Sequence, residues 1–391
     1  MSAASPQNQP PLRGHFLGPD GWQRGALHLQ GGRIAAAEGT PVSEAAVRDS
    51  ALPLWLPGFI DTHVHGGAGA DTMQAGGAVT TLARLHARHG TTALLATTMT
   101  APLAEVQAAL QALAPVLTQR PAGAARVLGV HLEGPYISPD RLGAQPAFTR
   151  ATQGAALAEI LALHAIARIR LVTLAPEAEG ALALIPALVA AGMRVQIGHS
   201  AASYEQTCAA LDAGAGGFTH LFNAMSPLHQ RAPGAVGAAL AHAQHAEIIP
   251  DLLHVHPGAI RAALRAIPGL FCVTDATAAT GMPDGDYRLG RHTVHKTTLH
   301  TAHGCLGGVR LADGTLAGST LTLDQALRNL VALGLSVAEA AARCSTFAAR
   351  YLGLADRGVL QPGAWADVVG LDAQSLALRA VWIEGEAIDA L

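Results

Sequence analysis

The sequence predicts an α/β protein: a TIM-like (β/α)8 barrel with a small β-sandwich domain formed by both termini. Three observations lead there. Eight short apolar runs alternate with Ala/Leu-rich segments at helical spacing, the pattern of repeated βα units around a parallel sheet. The polar residues closing those runs are mostly histidines and carboxylates, as expected where barrel strands end. Alternating stretches set off by Gly-rich turns occupy the two ends of the chain.

The elements follow in order. Met1 to Pro11 is polar and proline-containing and reads as a disordered tail; it lacks the basic start and apolar core of a signal peptide. Gly25 to Gln30 and Arg33 to Ala37, separated by Gly31-Gly32, read as strands joined by a hairpin turn. Gly358 to Leu360, Ala366 to Leu371 and Ala380 to Gly385 repeat that style at the other end. The expected small domain is therefore residues 1–56 plus 356–391, and the barrel is 57–355. Barrel strands are expected at Leu54 to His65, Thr91 to Thr97, Arg126 to Glu133, Ile169 to Ala175, Arg194 to His199, Gly217 to Phe222, Glu247 to Val255 and Leu270 to Asp275. Helices are expected at Ala78 to His89, Leu103 to Leu117, Thr152 to Ile166, Ala178 to Ala191, Tyr204 to Ala213 and Leu321 to Leu333. An open doubly wound sheet alternates in the same way, but no Gly-x-Gly-x-x-Gly turn follows the first strand.

Composition narrows the function. A chain of 391 residues, 50 % hydrophobic, can bury a large core. Only 14 % of residues are charged, the net charge is −3 and there are no blocks of like charge, which argues against nucleic-acid or membrane-surface partners. Cys208, Cys272, Cys305 and Cys344 lie far apart, so neither a disulfide framework nor a thiolate zinc site is indicated, and a cytoplasmic location is expected. The Ala/Leu stretches, interrupted for example by Pro186 and Arg194, are too short to span a bilayer.

His63 and His65 carry the strongest local signal. Residues two apart on a strand share a face, so both imidazoles can converge on one ion at the point where a buried strand gives way to a glycine loop. Taken in order, the polar residues at the expected strand ends are His63, His65, Glu133, His199, His220, His254 and Asp275. In a barrel these termini crowd around one axis. Imidazole with carboxylate suits Zn, Fe, Co, Ni or Mn rather than Ca or Mg.

Several runs then carry a resemblance: Pro57-Gly58-Phe59-Ile60-Asp61-Thr62-His63-Val64-His65-Gly66, His131-Leu132-Glu133-Gly134-Pro135-Tyr136, Gly198-His199-Ser200, Thr219-His220-Leu221-Phe222-Asn223-Ala224-Met225, Val273-Thr274-Asp275-Ala276-Thr277 and Asp313-Gly314-Thr315-Leu316-Ala317-Gly318-Ser319. The chain is similar to the amidohydrolase superfamily and, within it, to the family of N-acetylglucosamine-6-phosphate deacetylases. That resemblance implies hydrolysis of the acetamide of N-acetyl-D-glucosamine 6-phosphate to D-glucosamine 6-phosphate and acetate. The galactosamine epimer remains open as substrate, because one inverted hydroxyl separates the two sugars.

The resemblance makes Glu133, His199 and His220 ligands of a principal divalent ion and Asp275 the catalytic acid/base. Family members hold one or two ions, and the presence of His63 and His65 resembles the two-ion kind. It sets Asn223, Ala224, Arg231 and His254 at the sugar phosphate and Leu316, Ala317 and Gly318 along the sugar. Ala144 and Gln145 fall in the substrate-contacting segment, Gln145 standing where some members carry histidine. His131 and His256 match no family ligand and read as supporting residues. A homodimer is implied. Cyclic-amide hydrolases and deaminases of the superfamily commonly use a barrel lysine or another metal set, and the only lysine here, Lys296, lies far from any motif. A scaffold that kept the fold without activity is the remaining alternative, and such descendants typically lose ligands.

Overall fold

A computed structural model describes residues 10–301 and 304–389; residues 1–9 of the expected tail lie outside it. The two ends of the chain meet in one seven-stranded sheet. It runs from Glu386–Ile388 through Leu378–Ile383, Val368–Leu371, Leu54–Pro57, Leu12–Gly18 and Gly21–Gln30 to Arg33–Pro41. Ile34 N donates to Ala364 O, Ala366 N to Gly32 O and Gly385 N to Ala366 O. The far edge thus returns to the segment entering the C-terminal strands, and the sheet folds over a core of Phe16, Leu27, Ile34, Trp55, Leu360 and Val368.

Eight parallel strands form the barrel: Phe59–Val64 (β1), Thr91–Thr97 (β2), Arg126–Glu133 (β3), Ile169–Leu174 (β4), Arg194–Ile197 (β5), Gly217–Phe218 (β6), His245–Ile248 (β7) and Gly269–Cys272 (β8). The first six pair in one sheet and β7 pairs with β8. Leu221 N donates to Glu247 O across the β6–β7 junction. A Val64–Ala276 bridge, with Asp275 N donating to His63 O at 2.9 Å, joins the end of β8 to β1. Helices follow each strand, at Ala78–Arg88, Leu103–Thr118, Ala156–Ile166, Ala181–Ala190, Tyr204–Asp212, Gly234–His242, Pro257–Ala266 and Leu323–Ala332. Tyr204–Asp212 shows why one begins where it does: Ser203 Oγ accepts from Gln206 N while the Gln206 side chain accepts from Ser203 N.

Several boundaries differ from expectation, for physical reasons. The single strand read at Leu54 to His65 is two, interrupted at Gly58, where the backbone packs so tightly that a Cβ would lie 2.2 Å from Thr92 Oγ1. One half joins the terminal sheet and the other opens the barrel. The strands read as far as His199, Phe222 and Asp275 stop earlier, since His199, His220 and Asp275 take left-handed backbone (φ 47°, 29° and 51°) that no strand continues through. His254 is likewise not on β7 but in the loop beyond it. The helices Gly234–His242 and Pro257–Ala266 were not expected. Nor was a four-stranded antiparallel sheet of Gly285–Leu289, His292–Thr301, Gly304–Arg310 and Leu316–Ser319 that follows β8.

A charged staple ties the terminal sheet to the barrel. Arg126 of β3 grips Glu384 with two bonds of 2.8 and 2.7 Å, Arg120 reaches Glu384 and Glu386, and Arg357 bonds Asp367 and Glu384. Burial alone would raise the Glu384 carboxyl, but these arginines hold it down at about 2.

Candidate metal centre and cavity

Glu133, the last residue of β3, is the hub of the site, and its two oxygens serve two separate groups. Oε1 lies 3.0 Å from His199 Nε2 and 3.1 Å from His220 Nε2, and those two nitrogens are 3.1 Å apart. Oε2 lies 3.0 Å from His65 Nε2 and 3.3 Å from His63 Nε2, themselves 3.2 Å apart. Asp275 Oδ1 completes the second group at 3.2 Å from His65 and 3.4 Å from His63. All six side chains are buried, Glu133 being 1 % exposed.

These spacings fit divalent ions. Zinc bonds of about 2.0–2.1 Å in a tetrahedron set neighbouring ligand atoms about 3.3 Å apart, close to the separations within each group. Charge gives the same answer. Burial alone would raise Glu133, yet the charge of His63 and the hydrogen bonds of His199 and His220 hold it well below the usual carboxylate range. Burial would lower His65, but Asp275 and Glu133 hold it up at about 9. A cluster that holds Glu133 ionised and His65 protonated is one that favours positive charge between them.

Two of the four imidazoles are anchored through their other nitrogen: His63 Nδ1 faces Glu247 Oε2 at 3.1 Å, and His199 Nδ1 faces the Arg141 carbonyl at 2.9 Å. Asp61 steadies the closure of the barrel beneath them, accepting from Thr274 Oγ1 at 2.6 Å and from His63 N at 3.2 Å.

A cavity of about 180 Å³ opens beside the cluster. His65, Glu133, His199, His220 and Asp275 reach its wall, and so do the expected Ala144, Gln145, Asn223, Ala224, His254, Leu316 and Gly318. Gly318 passes so close to the catalytic candidate that a Cβ there would sit 2.8 Å from Asp275 O, and its φ is +63°. Two expected substrate-binding residues are not brought to the cavity. Ala317 is fully buried behind the wall, packed with Met99, Leu289 and Val309, because alternate residues of a strand face opposite ways. Arg231 is exposed on the loop that also carries Leu228, 57 % exposed. Gln145 reaches the wall already engaged: Nε2 donates to Glu133 Oε2 at 2.8 Å and Oε1 accepts from Thr100 N at 2.7 Å. His254 Nδ1 lies 2.7 Å from Asp251 Oδ2; burial alone would lower this imidazole, but the Asp251 carboxylate raises it.

The sequence reading missed Met99, Gly143, Leu289 and Thr315 in the wall, none of which carries a chemical signature. It also missed Glu247, whose signal was a lone carboxylate inside the apolar run of β7.

An eight-stranded barrel with a buried imidazole–carboxylate cluster at the C-terminal ends of its strands defines a metal-dependent hydrolase class. The amidohydrolase family model matches residues 54–388, and the chain belongs to that family. It is 44 % identical over 379 residues to the N-acetylgalactosamine-6-phosphate deacetylase of Escherichia coli O157:H7, covering 95 % of this chain and 97 % of that protein. It is 38 % identical over 380 residues to the N-acetylglucosamine-6-phosphate deacetylase of Vibrio furnissii, covering 94 % and 92 %. Among solved structures, a mutant of the Mycobacterium smegmatis N-acetyl-D-glucosamine-6-phosphate deacetylase in complex with N-acetyl-D-glucosamine-6-phosphate superposes with a TM-score of 0.84 at 35 % identity, covering 96 % and 97 %.

Proposed function

We propose that this chain is a metal-dependent deacetylase of N-acetyl-D-glucosamine 6-phosphate, releasing D-glucosamine 6-phosphate and acetate. The observation that carries the reading is Glu133, whose two oxygens each face a pair of imidazoles beside a sugar-sized cavity. In this reading Glu133, His199 and His220 hold one divalent ion, Glu133, His63 and His65 a second, and zinc is the first candidate for both. Ions held there would polarise the amide carbonyl and acidify an attacking water.

The chain's own groups do the rest. Asp275 takes a proton from the attacking water and returns it to the amine nitrogen as the C–N bond breaks, because an unprotonated amine is a poor leaving group. His254, held cationic by Asp251, meets the 6-phosphate from inside the cavity together with Asn223 and Ala224. Arg231, exposed and outside its own cavity, is assigned to the phosphate bound by a second copy across a homodimer, with the neighbouring exposed Leu228 in the interface. Leu316 and Gly318 border the sugar. Residues 1–56 with 356–391 form the small domain and 57–355 the catalytic one. Four free cysteines suit a reducing compartment, the cytoplasm, and among the described residues no helix is long and apolar enough to cross a membrane.

The galactosamine epimer is the second reading, favoured by the 44 % identity to the Escherichia coli enzyme. One experiment tests both: purified, metal-loaded protein is assayed on the N-acetylated 6-phosphates of glucosamine and galactosamine and on both sugars without phosphate. A kcat/KM higher on the glucosamine 6-phosphate supports the first reading, and a higher value on the galactosamine 6-phosphate replaces it with the second. No turnover of either phosphate overturns both.

A further inference from the structure

Glu247 lies within β7 and is completely buried, outside the wall of the cavity beside the cluster. Its carboxylate receives four donors. Oε1 accepts from Thr62 Oγ1 at 2.6 Å and Gln196 Nε2 at 3.3 Å; Oε2 faces His63 Nδ1 at 3.1 Å and accepts from the His220 backbone N at 3.4 Å.

We propose that Glu247 is a positioning residue of the metal centre, fixing His63 as the Nδ1–H tautomer so that its Nε2 lone pair faces Glu133 and His65. The inference rests on the two-ion reading above. A carboxylate whose other contacts are all donors can face a ring nitrogen at 3.1 Å only if that nitrogen carries the proton. The proton on Nδ1 leaves Nε2 available, and Nε2 is the atom 3.3 Å from Glu133 Oε2. Carboxylates behind a ligating histidine orient its ring and raise its basicity in this way. The same carboxylate also meets the backbone N of His220, at 3.4 Å, but not its ring, so its hold on a ligating imidazole is confined to His63.

His63, His131 and Glu247 are close enough to resemble a third ion site. Their atoms are otherwise occupied: His131 Nδ1 faces Thr62 O at 3.1 Å and Nε2 faces Thr173 Oγ1 at 2.7 Å, and the carboxylate already has its four donors. The triad is a hydrogen-bonded support.

The test is a zinc titration of metal-stripped protein in competition with a chromogenic chelator, on wild type, Glu247→Gln, Glu247→Asp, His63→Ala and the double variant His63→Ala/Glu247→Gln. A glutamine offers one acceptor oxygen to four donors, so it either turns an N–H on His63 Nδ1 or leaves donors unpaired. Glu247→Gln should bind its second zinc 10–100-fold more weakly while the first binds as in wild type. Glu247→Asp should recover part of that loss, and Glu247→Gln should add nothing once His63 is gone. Two wild-type affinities in Glu247→Gln, or an equal further loss in the His63→Ala background, would overturn the proposal. If wild type itself takes up no zinc, the metal reading fails instead. Should Glu247→Gln not fold, 15N-histidine NMR of zinc-loaded wild type, with His63 assigned from its alanine variant, decides: a protonated Nδ1 supports the proposal and a bare Nδ1 overturns it.

Discussion

Asp275 Oδ1 stands 3.2 Å from His65 Nε2, and a carboxylate just beyond β8 thereby meets an imidazole just beyond β1 at the seam where the barrel closes. Burial would raise this carboxyl, but the charge of His63 and the hydrogen bond to His65 hold it down at about 2, so it is ionised. Asp275→Asn keeps the shape without the basicity. Its kcat should fall about 10²–10⁴-fold with little change in KM, measured on protein whose metal content matches wild type. A fully metallated Asp275→Asn enzyme with wild-type kcat would move the proton transfer to another group.

Elemental analysis of loaded wild type should find about two ions per chain on the two-metal arrangement. Changing His63 and His65 together to alanine should leave about one, held by Glu133, His199 and His220, and lower the rate. Unchanged occupancy and rate would reduce the pair to a structural role.

His254 and Asp251 act as a pair. Removing a charge-assisted contact costs about 1.5–3 kcal/mol, so His254→Gln should raise KM for a 6-phosphate substrate by one to two orders of magnitude and leave the phosphate-free sugar almost untouched. Equal losses on both substrates would speak for a folding defect.

Gln145 joins Glu133 to the Thr100 amide, and nothing else in the described structure bonds that backbone N–H. Gln145→Leu should destabilise the fold by about 1–3 kcal/mol through the stranded buried donor. It should also weaken metal retention, because Glu133 loses a partner on the oxygen shared with His63 and His65. Denaturant unfolding and a chelator challenge read the two effects separately.

His86 supplies a pH test away from the chemistry. Its Nε2 faces Gly66 O at 2.9 Å while its Nδ1 has no partner, and burial lowers it to about 4 from 6.5. A lowered imidazole means that the unfolded chain binds the proton more readily, so the contribution is complete above about pH 6.5 and disappears as pH falls towards 4. It amounts to on the order of 3 kcal/mol. His86→Gln keeps a donor for Gly66 and should flatten the decline of stability between pH 7 and pH 4. An unchanged slope would rule His86 out as its source.

Much of this architecture was readable from the sequence, and the misses share a cause. β2 and β3 match their expected bounds to the residue, because continuous apolar runs between turn signals leave little freedom. The later strands were read too long wherever a functional histidine or aspartate bends into left-handed backbone, which side-chain periodicity does not encode. The antiparallel sheet at 285–319 is mostly polar and half-exposed, so its pattern resembled loop, and with it went Leu289 and Thr315. The residues of the buried imidazole–carboxylate cluster stood out in the sequence because their chemistry is carried by residue type. Arg231 and Ala317 were assigned by likeness alone, and nothing in a linear sequence says whether a side chain faces its own cavity.

The seam between β8 and β1 has a consequence for how the protein is made. His63 leaves the ribosome early, but its neighbour Asp275 and the Val64–Ala276 bridge wait for most of the chain. The group of Glu133, His63, His65 and Asp275 is therefore completed only as the barrel shuts, at the cost of closing a very long loop. A nascent fragment ending before β8 can gather Glu133, His199 and His220 but lacks the Asp275 side of the other group, so that half of the site is complete only once synthesis and closure have both finished.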